Sequence, residues 1–445
     1  MSLASLPPTW QGWIAAFQAP LHERLAWRLE PLMLGVVMAK GRRTITSWLR
    51  AAGLRTGWEE YYYFLAAVGR VCEGMATLLL RLLIRHVRPE GPLVFAIDDT
   101  PTKRYGPKVE GAGLHHNPTP GPAGQKLLYG HLWVTLAWIV RHPLWGAIGL
   151  PVLARLYIRQ VDVPKLAQRG PWQFHTKLVL AKQLVIWITK VLAFLGRPLW
   201  FVTDGGYAKR PFLRVAREQP GVVIVSRLRR DAALWSVPKA VPVAKRGRGR
   251  PRVYGKQRLS LAKRAGQKHG WQQVTCRQYG KEVVKKIKTF EATYKPAGGH
   301  IRVVLVDEAR GWLPYFSTDP AMPATTIVEQ VADRGALEQD YHDLKEVEGT
   351  GQQQVRNVWA NLGAFHLTLW AHCLTELWAW YQPKEVLCDR SDSPWDDTQR
   401  RPSHADRRKA LQRSCLAEEF SHLQRHTAVA SEIRRFVNGL IHQAA

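Results

Sequence analysis

Three stretches of this 445-residue chain put a carboxylate where an apolar run stops or a charged stripe forms. The run PLVFAI (92–97) ends in Asp98-Asp99-Thr100, and PLWFVT (198–203) ends in Asp204, followed by Gly205-Gly206. Runs rich in β-branched and aromatic residues read as buried strands, and acids at their ends sit at a sheet edge where ligands collect. The third acid, Glu338, lies in VADRGALEQDYHDLKEVEG, read as a helix from about Ile327 to about Val347. At about 100° per residue, Arg334 and Glu338 lie about 40° apart on the helix surface, and Glu338 and Lys345 nearly superimpose. A carboxylate between two cations on one stripe suits a site that grips a phosphodiester and a metal together. The alternative for each strand acid is a plain cap on the next turn, and for Glu338 a solvated helix face. Asp98 and Asp99 are adjacent on one strand and point to opposite faces, so only one of them can face a metal.

The spacing Arg, three residues, Glu, six residues, Lys resembles the YREK signature of bacterial insertion-sequence transposases with a DDE triad. The trailing GTGQQQVRNVWANLGAF resembles the segment that follows that signature, and the signature's Tyr falls on Val331 here. AIDDTPTK resembles the first-Asp motif of that family, and FVTDGGYAKR the second. The resemblance spans roughly residues 93–369 and implies the catalytic set Asp99, Asp204 and Glu338, Asp99 being the acid directly before Thr100 and Asp98 the reserve. It also implies a ribonuclease H-like α/β core interrupted by a β-rich insertion, with an all-helical domain before it and a helical region after it.

The chemistry of three such acids is two-metal phosphodiester cleavage, with ions about 3.5–4 Å apart. Mg²⁺ suits a few carboxylates plus water and phosphate oxygens, and Mn²⁺ is the alternative ion. Arg334 and Lys345 would hold phosphate or offset its developing charge. The resemblance implies cut-and-paste transposition, by a homodimer on double-stranded DNA. The rival readings are a metal-dependent nuclease that cuts without joining, and a DNA-binding protein without catalysis.

Composition supports a polyanionic partner. Lys plus Arg 64 against Asp plus Glu 35 gives +29, a field that predicts nucleic acid before anionic membrane. The most apolar region, 178–201, is cut by Lys182, Lys190 and Arg197, whereas a span needs about 20 residues nearly free of charge. MSLASLPPTW shows no basic region followed by an apolar one, so a secretory signal is not expected. A cytoplasmic, nucleoid-associated bacterial protein is the expectation. Five scattered cysteines without a CxxC pair argue against a disulfide framework and against a structural zinc.

These elements divide as 1–90, helical and DNA-binding; 91–226, the first part of the core; 227–320, a basic β-rich insertion; 321–381, the core's second part with the Glu helix; and 382–445, a helical C-terminal region. In the first, GRRTITSWLRAAGL (41–54) reads as a basic opening, a Thr or Ser cap, a short helix and a Gly stop. Arg42 and Arg43 there would contact DNA, as in helix-turn-helix proteins. The stretch 106–124, holding His115 and His116, reads as a Gly- and Pro-rich surface loop near DNA. The insertion opens with thirteen Lys or Arg against one acid in 227–264. Its KRGRGRPRVYG resembles an AT-hook, but a phosphate-gripping loop using Arg248, Arg250 and Arg252 is the reading preferred. Trp312 is read as a core residue rather than a base-stacking one.

Overall fold

The computed structural model describes residues 4–117, 124–239, 251–390, 395–397, 399–426 and 437–438. Arg248 and Arg250 lie outside the described residues.

The chain opens with six helices: α1 (Pro8–Phe17), α2 (Glu23–Ala26), α3 (Leu29–Met38), α4 (Ile45–Ala51), α5 (Trp58–Arg70) and α6 (Cys72–Val87). The Thr44 hydroxyl caps α4 by accepting from the Ser47 N–H at 3.2 Å. Strands β1 (Leu93–Lys103), β2 (Gly113–His116), β3 (Leu127–His142) and β4 (Gly146–Tyr157) follow. Next come α7 (Lys177–Leu192), β5 (Leu199–Thr203), α8 (Arg210–Leu213), α9 (Val215–Glu218) and β6 (Val222–Arg227). The stretch 106–124, expected to be a bare loop, contains β2, which pairs with β3 and buries His115. Four residues are too few for a period to show in the sequence.

β3 lies antiparallel between β1 and β4, while β5 runs parallel to β1 and β6 parallel to β5. This mixed sheet with helices on both faces is consistent with a ribonuclease H-like DDE fold. Beyond β6 the sheet continues. β7 (Leu234–Trp235), β8 (Arg258–Leu259), α10 (Leu261–Gly266), β9 (Gln272–Gln278), β10 (Lys281–Tyr294), β11 (Gly299–Val306) and β12 (Leu313–Ser317) come next in the chain. β12 pairs with β6, so the insertion extends the core sheet to twelve strands instead of standing apart from it. Trp312, just before β12, is half-buried against the main core, with the Arg230 guanidinium 5.1 Å from its ring centre.

Two helices cover one face of the sheet: α11 (Ala324–Asp333) and α12 (Gly335–Glu346). The other face packs on α7 and on α13 (Val358–Ala379), in which every residue but Trp359 is buried. Then come the short α14 (Lys384–Leu387) and α15 (His404–His426). The helical stretch Lys177–Leu195, α7 with the turn after it, is long and apolar enough to cross a membrane by composition, but here α7 lies on the sheet, with Lys177 paired to Asp99 and Lys182 to Glu218.

α13 also covers the free edge of β4, where unpaired backbone groups would otherwise invite another strand. Trp370 Nε1 donates to the Val152 carbonyl at 2.9 Å, and the Ala154 N–H donates to His366 Nε2 at 3.1 Å. His366 must therefore be neutral, its Nδ1 proton going to the Leu362 carbonyl at 2.8 Å. Burial agrees, pushing its pKa down to about 4.

α5 crosses α13 at two glycines. A Cβ on Gly363 would lie 2.0 Å from the Leu65 carbonyl oxygen, and one on Gly69 2.0 Å from that of Trp359. Gly363→Ala is thus expected to cost about 3 kcal/mol, the upper end for overpacking. Gly12→Ala, on an open helix face with nothing within 4 Å, should gain about 0.5–1 kcal/mol. Urea denaturation of both variants checks this, and equal midpoints would refute the tight crossing.

Candidate active site

The register of β1 and β5 brings the first two acids together. Ile97 is aligned with Thr203 in the parallel pair, so Asp98 and Asp204 come next on neighbouring strands and share a face. That face is the even-numbered one of β1. Val94 and Ala96 pack there against Leu337 of α12, while Leu93, Phe95 and Ile97 point into the opposite core. Asp98 therefore faces the Glu338 helix and Asp99 faces α7. This corrects the expectation built on Asp99. Its carboxylate accepts from Lys177 Nζ at 2.8 Å and from the Tyr207 hydroxyl at 3.1 Å, on the far side of the strand.

Arg334 joins the sheet to the helix. Its Nη1 donates to Asp98 Oδ2 at 2.8 Å and its Nη2 to Glu338 Oε1 at 2.5 Å. Burial alone would weaken the guanidinium's hold on its proton, but the Asp98, Glu338 and Asp204 charges raise its pKa above the ordinary value. The expected helix from Ile327 to Val347 is interrupted at this residue, which closes α11 and opens α12. Arg141 on β3 anchors the junction, with a 2.7 Å bond to Asp333. Seven residues after Arg334, on the same stripe, the buried Tyr341 hydroxyl donates to the Asp98 carbonyl at 2.9 Å. Tyr341 was not singled out from the sequence, although that spacing could have revealed it, whereas nothing in the sequence linked Lys177 and Tyr207 to Asp99. Val331, at the signature Tyr position, packs into an apolar cluster with Val202 and Val225.

Burial dominates the Asp98 carboxyl and pushes its pKa up to about 6. Arg334 pulls it down, and the Asp204 charge adds to the rise. Asp204 and Glu338 are exposed. Three carboxylates supply hard oxygen donors of the kind Mg²⁺ takes, and Arg334 offsets the charge of two of them.

A groove of about 1330 Å³ begins three residues further along β1 and at the last turn of α12. Arg42, Lys103, Tyr105, Lys345 and Arg356 line it. Lys345 is seven residues, or about 10 Å along the helix axis, from Glu338. The loop after α12 forms its floor, pinned by the buried Arg104, which donates to the Gly351 and Gln353 carbonyls at 2.5 and 3.0 Å. Arg43, expected to contact DNA, is turned into that loop. Its N–H donates to Gln352 Oε1 at 2.8 Å and its stem packs on Gly349. Burial and the Arg408 charge lower its pKa. Arg252 is exposed on the insertion.

Asp98 within β1, Asp204 just after β5 and Glu338 on α12 lie around one arginine beside a basic groove, an arrangement suited to metal-dependent phosphodiester chemistry. The DDE superfamily endonucleases match residues 16–283, and the chain belongs to that family. Membership implies a metal-dependent nuclease or transposase acting on DNA. The match ends before α11 and does not reach Glu338. The search of curated proteins returned no match.

The Asp98 shift has a stability consequence. Its folded pKa, about 6, lies above the ordinary 3.8, so the folded state holds the extra proton between those values. Stability is then greatest below about pH 4 and declines as pH rises through about 6. Asp98→Asn should raise the melting temperature at pH 7–8, with no gain at pH 4. Melting curves across that range test it, and a pH-independent difference would contradict it.

Proposed function

We propose that the chain is a DNA transposase that cleaves the ends of an insertion sequence and joins them to target DNA. Asp98, Asp204 and Glu338 would hold two Mg²⁺ ions, Asp98 replacing Asp99 in that set. The observation that carries this reading is the convergence of the three carboxylates on Arg334 beside a basic groove. When bound, the metal pair activates the attacking hydroxyl and offsets the charge on the phosphoryl oxygens.

The chain's own groups do the rest. Arg334 keeps the Asp98 and Glu338 carboxylates at one point and offers a planar, two-pronged donor to a phosphate. Tyr341 fixes the height of the β1 strand end against α12. Lys177 and Tyr207 hold Asp99 on the other face, bracing the strand without entering the reaction. Lys345, Lys103 and Arg42 grip phosphates flanking the cleaved bond. The reading includes a homodimer assembled on DNA, residence in the bacterial cytoplasm at the nucleoid, and no membrane attachment. The resemblance to the YREK signature and the spacing of Arg334, Glu338 and Lys345 support transposition over simple cutting.

The test uses a labelled duplex carrying the element's own end, a target plasmid, and Mg²⁺ or a chelator. Metal-dependent nicking followed by joining to the plasmid is expected. Asp98→Asn and Glu338→Gln should each lose about 10³-fold or more in cleavage, the equivalent of about 4 kcal/mol, while still binding DNA. Asp99→Asn should lose far less. Nicking without joining would establish the nuclease, and equal losses at positions 98 and 99 would remove the assignment of Asp98.

Binding should weaken steeply with salt, since each neutralised phosphate releases counterions. Replacing Arg42, Lys103 and Lys345 together by Ala should flatten the slope of log K against log salt by about 2–3. An unchanged slope would place the DNA elsewhere.

A further inference from the structure

Behind the catalytic helix lies a second cluster of metal-ligating side chains that the phosphodiester chemistry does not use. His372 and Glu376, one turn apart on α13, meet His404, the first residue of α15. One ligand atom of each lies within 4.8 Å of the others. Asp340 of α12 closes the set from the third side, its Oδ1 3.6 Å from His372 Nε2. All four are buried, at 1%, 1%, 3% and 4% exposure for His372, Glu376, His404 and Asp340.

Burying so many ionisable groups is costly unless each is paired, and here the pairing is incomplete. Both ring nitrogens of His372 lack a hydrogen-bond partner, and so does Asp340 Oδ2. The separation of 3.6 Å is beyond hydrogen-bond reach. His404 is better served, bonding Glu376 at 2.7 Å and Glu348 at 2.9 Å. Glu376 also pairs with Arg407. The four groups line a cavity of about 440 Å³, which gives a path to solvent. The three arginines of that cavity are engaged, Arg407 on Glu376, Arg400 on Asp396 and Asp406, and Arg401 on the Trp145 carbonyl. Asp340 is pressed so close to β4 that a Cβ on Gly149 would lie 1.8 Å from its Oδ2, so the strand leaves room for that carboxylate.

We propose that His372, Glu376, His404 and Asp340 form a structural site for a divalent transition metal of the zinc class. His372, Glu376 and His404 supply two imidazoles and a carboxylate whose donor atoms must draw in from within 4.8 Å of one another to the spacing set by bonds of about 2.0–2.1 Å, with Asp340 beside His372 as the fourth donor. Binding requires His404 to give up one of its two carboxylate bonds, releasing that ring proton to solvent, and gives one His372 nitrogen a partner. No zinc signature was visible in the sequence, because the ligands come from three elements and none is a cysteine. The site lies on the face of α12 turned away from Glu338, so the ion would clamp the catalytic helix from behind. The assignment is independent of the DNA-joining reading.

The full-length chain, purified without a histidine tag or added metal, should carry about one zinc per molecule by elemental analysis. Glu338→Gln should keep that zinc and His372→Ala should lose it. Dipicolinate should lower the melting temperature of the native chain and leave His372→Ala unmoved. If that variant does not fold, Co²⁺ exchanged into the native chain gives a second readout, the visible absorption of four-coordinate cobalt. No bound zinc, with no shift in melting temperature after dialysis against Zn²⁺, would overturn the proposal and leave a buried ion-pair network. So would equal zinc in the native and His372→Ala chains.

Discussion

Two carboxylates on neighbouring parallel strands spaced about 4.8 Å apart, Asp98 within β1 and Asp204 just past the end of β5, repel each other, and the architecture around them supplies positive charge. The alignment of Ile97 with Thr203 makes the juxtaposition of Asp98 and Asp204 unavoidable. Burial of Asp98 sharpens the conflict and raises its pKa to about 6. Arg334 resolves part of it, and most of what surrounds Arg334 serves to aim it. Arg141 fixes the helix junction on one side, Leu337 seats α12 on Ala96, and Tyr341 ties the far end of the helix to the Asp98 backbone. A cationic reaction centre belongs where this repulsion is greatest.

The buried helix α13 makes the helical N-terminal region and the sheet one core. It packs on α5, α6 and α15 and covers the β4 edge through His366 and Trp370. The segment carrying Arg42 and Arg43 is consequently not on a loose tether. The Arg43 backbone is bonded to Gln352, and Arg104 holds the same loop to the end of β1. Arg42 and Lys345 therefore face one groove in a fixed relation to the acids.

Much of this was legible in the sequence. The two acids were visible because apolar runs of strand length stop abruptly at Asp98 and Asp204, although β1 continues past Asp98 to Lys103 instead of ending there, and the pairing of Arg334 with Glu338 follows from helical spacing alone. The choice between Asp98 and Asp99 was not legible. Strand parity says that they face opposite ways, but which face the Glu338 helix covers is a tertiary fact, set by Val94, Ala96 and Leu337. Arg43 misled for a related reason, since a basic residue beside a glycine reads the same whether its stem is free or packed on Gly349. The insertion was recognised as β-rich, but its joining to β6 depends on long-range pairing that no local pattern encodes. The cluster around His372 stayed hidden because its members are 28 or more residues apart except for one helical turn.

The interruption of the helix at Arg334 has an electrostatic role that a continuous helix could not fill. Ending α11 at Asp333 and starting α12 at Gly335 puts Glu338 in the first turn of a new helix. The unsatisfied N–H groups and the positive end of the helix dipole there favour a carboxylate by about 0.3–1 kcal/mol at exposed sites. In an unbroken helix from Ile327 to Val347, Glu338 would lie in the middle turns and receive nothing from the dipole. Arg334 keeps right-handed helical angles at the junction, φ −55° and ψ −26°, so it reaches Asp98 on the sheet through its side chain, and from there connects an acid on a strand with an acid on a helix.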